Sequence, residues 1–409
     1  MKKLTIILFS GIILLACGCR KNNTSRNPYD VLLVQQKLQT MADYLMAGYK
    51  AKYPEYPGGL AVKVIYKGNS WFVTSGMGQG VTGDWRFRAA SNTKLFTASA
   101  ILLLYQQGKL NLDASITDLI PGTNMTYVPM DANFAVPFRE RITIRQLLQN
   151  KAGVFDIVND KIPDTVSVPV PYKGQNYLDW AKKQDSTHTF TFDELVGVDA
   201  TCRLYYFEPG TSYHYSDTGW AILGKIIERV SGQRYSDFIM NEIFVPMGLV
   251  SSSMPYLGTD NTLPSPYVKG YYYDATLNID ATWSNVSPNV ADGTLITTPN
   301  DLSKFIRTLL RGEGVLSAVT VNSVLLSPMV PPDTMMTYYC GIETINNLGY
   351  GHDGDKQGYS SRMAYDPELD FAVVAFTNGN NLFNGMISFG ELVDGVVLES
   401  CYMAKLIVP

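Results

Sequence analysis

The sequence predicts an α+β fold: an antiparallel sheet built from both ends of the chain, flanked by helices, with an inserted and mainly helical lobe. Three observations predict it. Apolar strand patterns cluster near residues 60–74 and again at 361–376, helical periodicities fill the stretch between them, and no internal repeat or low-complexity tract interrupts the chain. The 409 residues allow two or three domains, or one unit of two lobes.

The N-terminus comes first and stands apart. Lys2 and Lys3 precede the apolar run Leu4–Leu15, which is too short for a membrane helix but suits a signal-peptide core. It leads into Leu14-Leu15-Ala16-Cys17-Gly18-Cys19. A small residue before a cysteine resembles the lipobox of bacterial lipoproteins. Residues 1–16 are therefore read as a lipoprotein signal peptide, Cys17 as the lipidated residue, and 17–28 as lipidated N-terminus and tether. Cys19 is the alternative acceptor, and an ordinary secretory signal is the alternative segment. The lipid would be the membrane contact, and the expected location is the bacterial cell envelope, in the periplasm or on the outer-membrane surface.

The folded domain is expected over 29–409, with the helical lobe and insertion at about 110–300. Val31, Leu32, Leu38, Met41 and Leu45 recur at helical spacing over Tyr29–Lys52, until Pro54, Pro57, Gly58 and Gly59 stop the helix. Leu60–Tyr66 and Trp71–Thr74 form a hairpin across Gly68-Asn69. Gly76, Gly78 and Gly80 do not have phosphate-loop spacing and read as a turn. Helices follow over Ser91–Gly108 and Ile142–Asn150. Residues 155–200 carry only short strand or helix signals and read as an insertion over one lobe. Trp220–Val230 and Pro299–Gly312 are helices, Ser361–Tyr365 and Phe371–Phe376 are strands, and a last helix covers Met386–Met403.

Composition removes several functions. The charge is −4, from 33 Lys+Arg against 37 Asp+Glu, and falls to about −6 without Lys2 and Lys3. A mildly acidic chain with no basic tract is a poor nucleic-acid binder. Three histidines, His188, His214 and His352, are too few for a histidine-based metal cluster, and no metal or organic cofactor is expected. Cys202, Cys340 and Cys401 read as buried free thiols rather than a disulfide framework, although one pair could bridge.

The chemistry gathers in three short stretches. In Ser91-Asn92-Thr93-Lys94, the serine and lysine share one helix face at i and i+3, so an ammonium lies beside a hydroxyl at a helix start. A desolvated lysine there can take the hydroxyl proton and activate Ser91. With 27 Ser and 20 Lys in the chain, about one such pattern arises by chance, so alone it could be a plain helix cap. Tyr215-Ser216-Asp217 before the 220–230 helix and His352-Asp353-Gly354 before the late strands complete the set. In that order, these stretches resemble the SxxK, Tyr-x-Asn and Lys/His-x-Gly motifs of the serine β-lactamase and penicillin-recognising family. The resemblance is to its class C-like branch, which includes D-Ala-D-Ala carboxypeptidases, esterases and D-aminopeptidases. Flanking stretches agree: Asn92–Pro121, Ile142–Leu148 with Ala152-Gly153, and Asp292-Gly293-Thr294 before Pro299-Asn300-Asp301-Leu302. The resemblance covers about residues 30–405.

This resemblance implies a β-lactamase/transpeptidase-like fold and a serine hydrolase working through an acyl-enzyme. Ser91 would be the nucleophile, and Lys94 and Tyr215 the proton-transfer pair, with the order between them open and Tyr215 acting as a phenoxide stabilised by nearby cations. The backbone N–H groups of Ser91 and Asp355 would form the oxyanion hole, beside Gly354. His352 stands where true class C β-lactamases have lysine, and would hydrogen-bond Tyr215. Two departures bear on substrate. Asp217 replaces the usual asparagine and would pair with Lys94, and Asp353 replaces a threonine that helps bind a substrate carboxylate. These acids favour a neutral ester or amide, or an amine-bearing peptide, although Lys356 and Arg362 are close enough in sequence to offset them. The expected partner is a small molecule or a peptide, including a peptidoglycan-derived one. The alternative is a non-hydrolytic penicillin-recognising binding or sensor lipoprotein. A Ser-His-Asp triad using His214 is disfavoured, because the chain has no GxSxG elbow. Tyr271–Tyr273 and Tyr338-Tyr339 read chiefly as half-buried aromatics, with a groove lining as the alternative.

Overall fold

Phe371-Ala-Val-Val-Ala-Phe-Thr is apolar on both alternating faces, which suits a strand covered on both sides. In the computed structural model, which describes residues 28–273, 278–328, 338–356, 358–383, 386–387 and 390–409, it is a central strand. The signal peptide, Cys17 and the tether before Pro28 lie outside the described residues.

The main sheet has six antiparallel strands: β1 (Leu60–Tyr66), β2 (Asn69–Ser75), β3 (Glu343–Ile345), β4 (Gly349–Lys356), β5 (Tyr359–Asp366) and β6 (Phe371–Thr377). Their spatial order is β2-β1-β6-β5-β4-β3, so both ends of the sequence meet at the β1–β6 pair, with Val62 opposite Ala375. Side chains then alternate between two cores. Val62, Val64, Val373 and Ala375 face helix α1 (Pro28–Lys52) and the C-terminal helix, while Ala61, Ala372, Val374 and Phe376 face the helical lobe. That lobe contains α2 (Thr93–Gln106), α3 (Phe192–Cys202), α4 (Asp217–Ser231) and α5 (Pro299–Leu310); α6 (Glu399–Ile407) closes the other face. The Phe96 and Phe305 rings stack at 3.6 Å between α2 and α5. Arg307 donates two hydrogen bonds to Asp370, at 2.7 and 2.8 Å, tying α5 to the sheet. Cys202, Cys340 and Cys401 are buried free thiols.

Four expectations need correction. The His352 motif, read as preceding the late strands, is itself strand β4. Its register is fixed by β5, with Asp353 opposite Arg362. Met386–Ile387 is a short strand, and helix begins only at Gly390, as a π-helical stretch to Leu398 that runs into α6. The 155–200 insertion holds two capped helices, Tyr177–Gln184 and α3. The 142–150 helix shortens to Ile144–Leu148, where Thr143 and Gln146 form a capping box.

Candidate active site

Ser91 owes its position to a strained turn. The strand Phe87–Arg88 pairs with Ile296–Thr297, and Ala89 N–H donates to Leu295 O at 2.9 Å, anchoring the chain just before it. Ala90 then adopts φ +49°, a left-handed conformation that costs an L-residue about 1–2 kcal/mol. A 3₁₀ turn, Ala90–Asn92, follows and α2 starts at Thr93. Ser91 thus sits in the first turn of a helical run, where backbone N–H groups have no intrahelical partner. One turn on, the Lys94 Nζ donates to Ser91 Oγ at 3.1 Å, as the i, i+3 spacing requires.

Lys94 is fully buried and its charge is matched. Nζ lies 2.7 Å from Asp217 Oδ1, donates to Asp292 O at 3.1 Å, and sits 4.5 Å from the centre of the Tyr215 ring. Asp217 is the first residue of α4, where a carboxylate is favoured by the helix dipole. Burial pushes the Asp217 carboxyl up, but the Lys94 charge and hydrogen bonds from Lys94 and Asn159 outweigh it and hold the group below the usual range. The neighbouring Asp292 goes the other way: burial, then the Asp217 charge, push it well above the ordinary carboxyl value. The predicted Asp217–Lys94 pair is therefore present.

Tyr215 differs from its expected state. Burial and the Asp217 charge raise its hydroxyl well above the ordinary phenol value, against a smaller opposing effect from a hydrogen bond with Ser91. It rests as a phenol, not as a phenoxide, because burial and the nearby carboxyl groups of Asp217, Asp353 and Asp292 all favour the neutral form. His352 differs too. Its ring lies 6.3 Å from that of Tyr215, and its Nε2 instead meets the Tyr338 hydroxyl at 3.1 Å. Nδ1 is 2.5 Å from Asp353 O, and a carbonyl only accepts, so Nδ1 carries the proton and Tyr338 donates to Nε2. Burial lowers the imidazole to about 4, so it is neutral at pH 7.

Gly354 is required by close approach, since a Cβ there would lie 2.2 Å from Ala89 O. The absent side chain lets β4 touch the Ser91 turn, and Asn92 Nδ2 bridges the contact to Ala89 O at 2.9 Å and Ser361 Oγ at 3.0 Å. The Asp353 side chain is 38% exposed. Asp355 accepts from Ser360 Oγ at 3.1 Å and Asn380 Nδ2 at 2.7 Å, and burial holds its carboxyl well above the ordinary value. His214 stacks on Tyr206 at 3.6 Å and binds Tyr215 O through Nδ1, so it belongs to the wall behind the second motif. Ser91, Asp217 and Asp355 line one cleft of about 200 Å³, together with Asn159, Tyr272, Asn289, Asp292 and Lys356.

The Beta-lactamase family matches residues 51–386. The chain belongs to the beta-lactamase family. Penicillin-binding protein 4 of Amycolatopsis lactamdurans is 26% identical over 352 residues, covering 78% of this chain and 81% of the relative. Penicillin-binding protein 4* of Bacillus subtilis (strain 168) is 26% identical over 290 residues, covering 68% of this chain and only 57% of the relative. The chain likewise spans about half of Protein flp of Staphylococcus aureus, at 53%. The fold is that of D-amino acid amidase from Ochrobactrum anthropi SV3 complexed with L-phenylalanine amide, with TM-score 0.69 and 23% identity over 92% of this chain and 98% of that one. It is also that of a D-stereospecific amidohydrolase from Streptomyces sp., with TM-score 0.68 and 23% identity over 91% and 98%. As a member of the beta-lactamase family the chain is a serine hydrolase of amide or ester bonds.

Beyond the residues that carry the motifs, this beta-lactamase-family cleft contains groups with no local signature. Asn159 and its neighbour Asp156 come from the insertion. Asn289 donates to Asp292 Oδ2 at 2.6 Å and accepts from Lys356, whose ammonium burial lowers to about 8. Lys356 was legible only as a nearby cation; the structure puts it on the cleft wall with Ser91.

Proposed function

We propose that Ser91 attacks a small amide or ester and carries the acyl group until water removes it. The observation that supports this reading most directly is the buried chain of contacts from Ser91 Oγ to Lys94 Nζ, 3.1 Å, and from there to Asp217 Oδ1, 2.7 Å. Lys94 can pass a proton to the Asp217 carboxylate and so accept the one that Ser91 Oγ loses on attack. Tyr215, held as a phenol, is suited to protonate the departing amine or alkoxide and to recover its proton from Lys94. The N–H groups of Ser91 and Asp355 are the proposed oxyanion donors. A cleft of about 200 Å³ admits a small amide or ester, or the end of a peptide such as a cell-wall fragment. Lipid anchoring through Cys17 in the bacterial envelope is proposed on the sequence alone, and loss of lipid-shifted mass in a Cys17→Ala variant would test it.

The enzyme reading is tested by intact-protein mass spectrometry after incubation with a fluorophosphonate or a penicillin. Wild type should gain one adduct and turn over a nitrophenyl ester, while Ser91→Ala should do neither. No adduct with either probe would overturn it.

A further inference from the structure

A second cavity shares no lining residue with the catalytic cleft. The segment 289–293 divides the two, with Val290 lining the second cavity and Asn289, Asp292 and Gly293 lining the cleft. The cavity holds about 220 Å³ between the start of α3, the end of α4 and the short helix Tyr235–Ile239. Its wall carries the rings of Phe190, Phe192, Tyr235 and Tyr256. An apolar cavity of about 150 Å³ accepts benzene, so this one has room for a single ring with a short chain.

Two polar groups on that wall lack partners. Glu228 is half-buried, and its carboxylate accepts from Tyr235 N–H at 3.2 Å but makes no ion pair among the described residues. The cations nearby are already committed. Lys225 pairs with Asp193 at 2.6 Å, and Arg234 pairs with Asp237 at 3.1 Å while its guanidinium rests 4.1 Å from the centre of the Tyr256 ring. Burial raises the Glu228 carboxyl above its ordinary value, an effect that a bound cation would reverse. Ser236 is 8% exposed, and its Oγ has no hydrogen-bond partner among the described residues. Polar groups left in this state are costly unless a ligand satisfies them.

We propose that this cavity binds a monocyclic arylalkylammonium ion, with its ring among the four aromatic side chains and its ammonium donating to the Glu228 carboxylate. Glu228 already meets the backbone of the residue before Ser236, so an ammonium, with three donors, can serve Ser236 Oγ as well. A neutral alcohol of the same shape loses the charge-assisted bond, and an anion meets the Glu228 carboxylate with the wrong sign. The site goes beyond the hydrolase reading and does not depend on it.

Calorimetric titration with phenethylamine, phenethyl alcohol and hydrocinnamate tests this. The amine should bind at least about tenfold tighter than the alcohol, and the carboxylate more weakly than either. The affinity for the amine should persist after Ser91 is blocked with a fluorophosphonate, which fills the cleft but not this cavity. Glu228→Gln keeps an acceptor for Tyr235 N–H and should bring amine and alcohol to the same affinity. Ser236→Leu adds bulk at the cavity wall and should weaken both by about tenfold or more. Absence of amine binding, equal binding of amine and alcohol by wild type, loss of binding when Ser91 is blocked, or an amine preference that survives Glu228→Gln would each overturn the proposal. Failure of Ser91 to label would strike the hydrolase reading instead, and the Glu228→Gln comparison would still decide this site.

Discussion

Lys94 and Asp217 form a buried ion pair with an N···O separation of 2.7 Å, directly beside the hydroxyl of Ser91. The pair neutralises two charges that would be costly to bury singly. In the proposed relay the Asp217 carboxylate takes the Lys94 proton during attack. Asp217→Asn removes that acceptor, and kcat/KM for ester hydrolysis should fall by about a hundredfold. An undiminished kcat/KM would show that Asp217 is not the proton acceptor.

Gly354→Ala should separate β4 from the Ser91 turn. The added Cβ would fall 2.2 Å from Ala89 O and 2.9 Å from Asn92 Nδ2, and the first of these is backbone. Overpacking of this kind costs about 1–3 kcal/mol, and a displacement near 1 Å at a reacting group costs about a hundredfold in rate. Urea denaturation and ester turnover on the same preparation would measure both.

His352 and Asp156 should give stability opposite dependences on pH. The His352 imidazole is lowered by burial from 6.5 to about 4. Between these values the unfolded chain binds more protons, so stability is lost as pH falls through the window, by up to about 3 kcal/mol. Asp156 is raised to about 7, by burial and then by the Asp217 charge. Between the ordinary carboxyl value and 7 the folded chain binds more protons, so stability is lost as pH rises. Relative to wild type, the melting temperature of His352→Asn should therefore be more favourable at pH 4.5 than at pH 7.5, and that of Asp156→Asn the reverse.

Tyr338→Phe should leave His352 Nε2 buried without its donor. The expected cost is about 1–3 kcal/mol of stability, with a smaller loss of turnover than in Tyr215→Phe. Equal kinetic loss in the two variants would place Tyr338 in the chemistry rather than behind His352.

The sequence is most informative where local chemistry and tertiary structure agree. The i, i+3 pair Ser91 and Lys94, the apolar strand at 371–376 and the capped helix before Gly232 are all present as expected. It is least informative at β4. Gly349-Tyr-Gly-His-Asp-Gly-Asp-Lys has no β-branched residue, and it becomes a strand because the buried strand β5 pairs with it and the Ser91 turn needs close approach. Helix α3 had an available signal, since Thr191 and Glu194 stand at capping-box spacing and Thr191 does accept from Glu194 N–H. Asn159 and Asp156 had none. Their role depends on a loop folding back against the start of α4, which no local pattern records.

The β1–β6 pairing also bears on how this chain comes to be folded. Gly59 N–H reaches Asn378 Oδ1 at 2.7 Å across 319 positions, and all seven residues of β1 pair with β6. During synthesis the early hairpin must wait, with an unpaired apolar edge, until almost the entire domain has emerged. Contacts this distant in sequence make folding slow and leave an aggregation-prone intermediate. A chain cut short before Phe371 would lose the middle of its sheet and both of its cores at once.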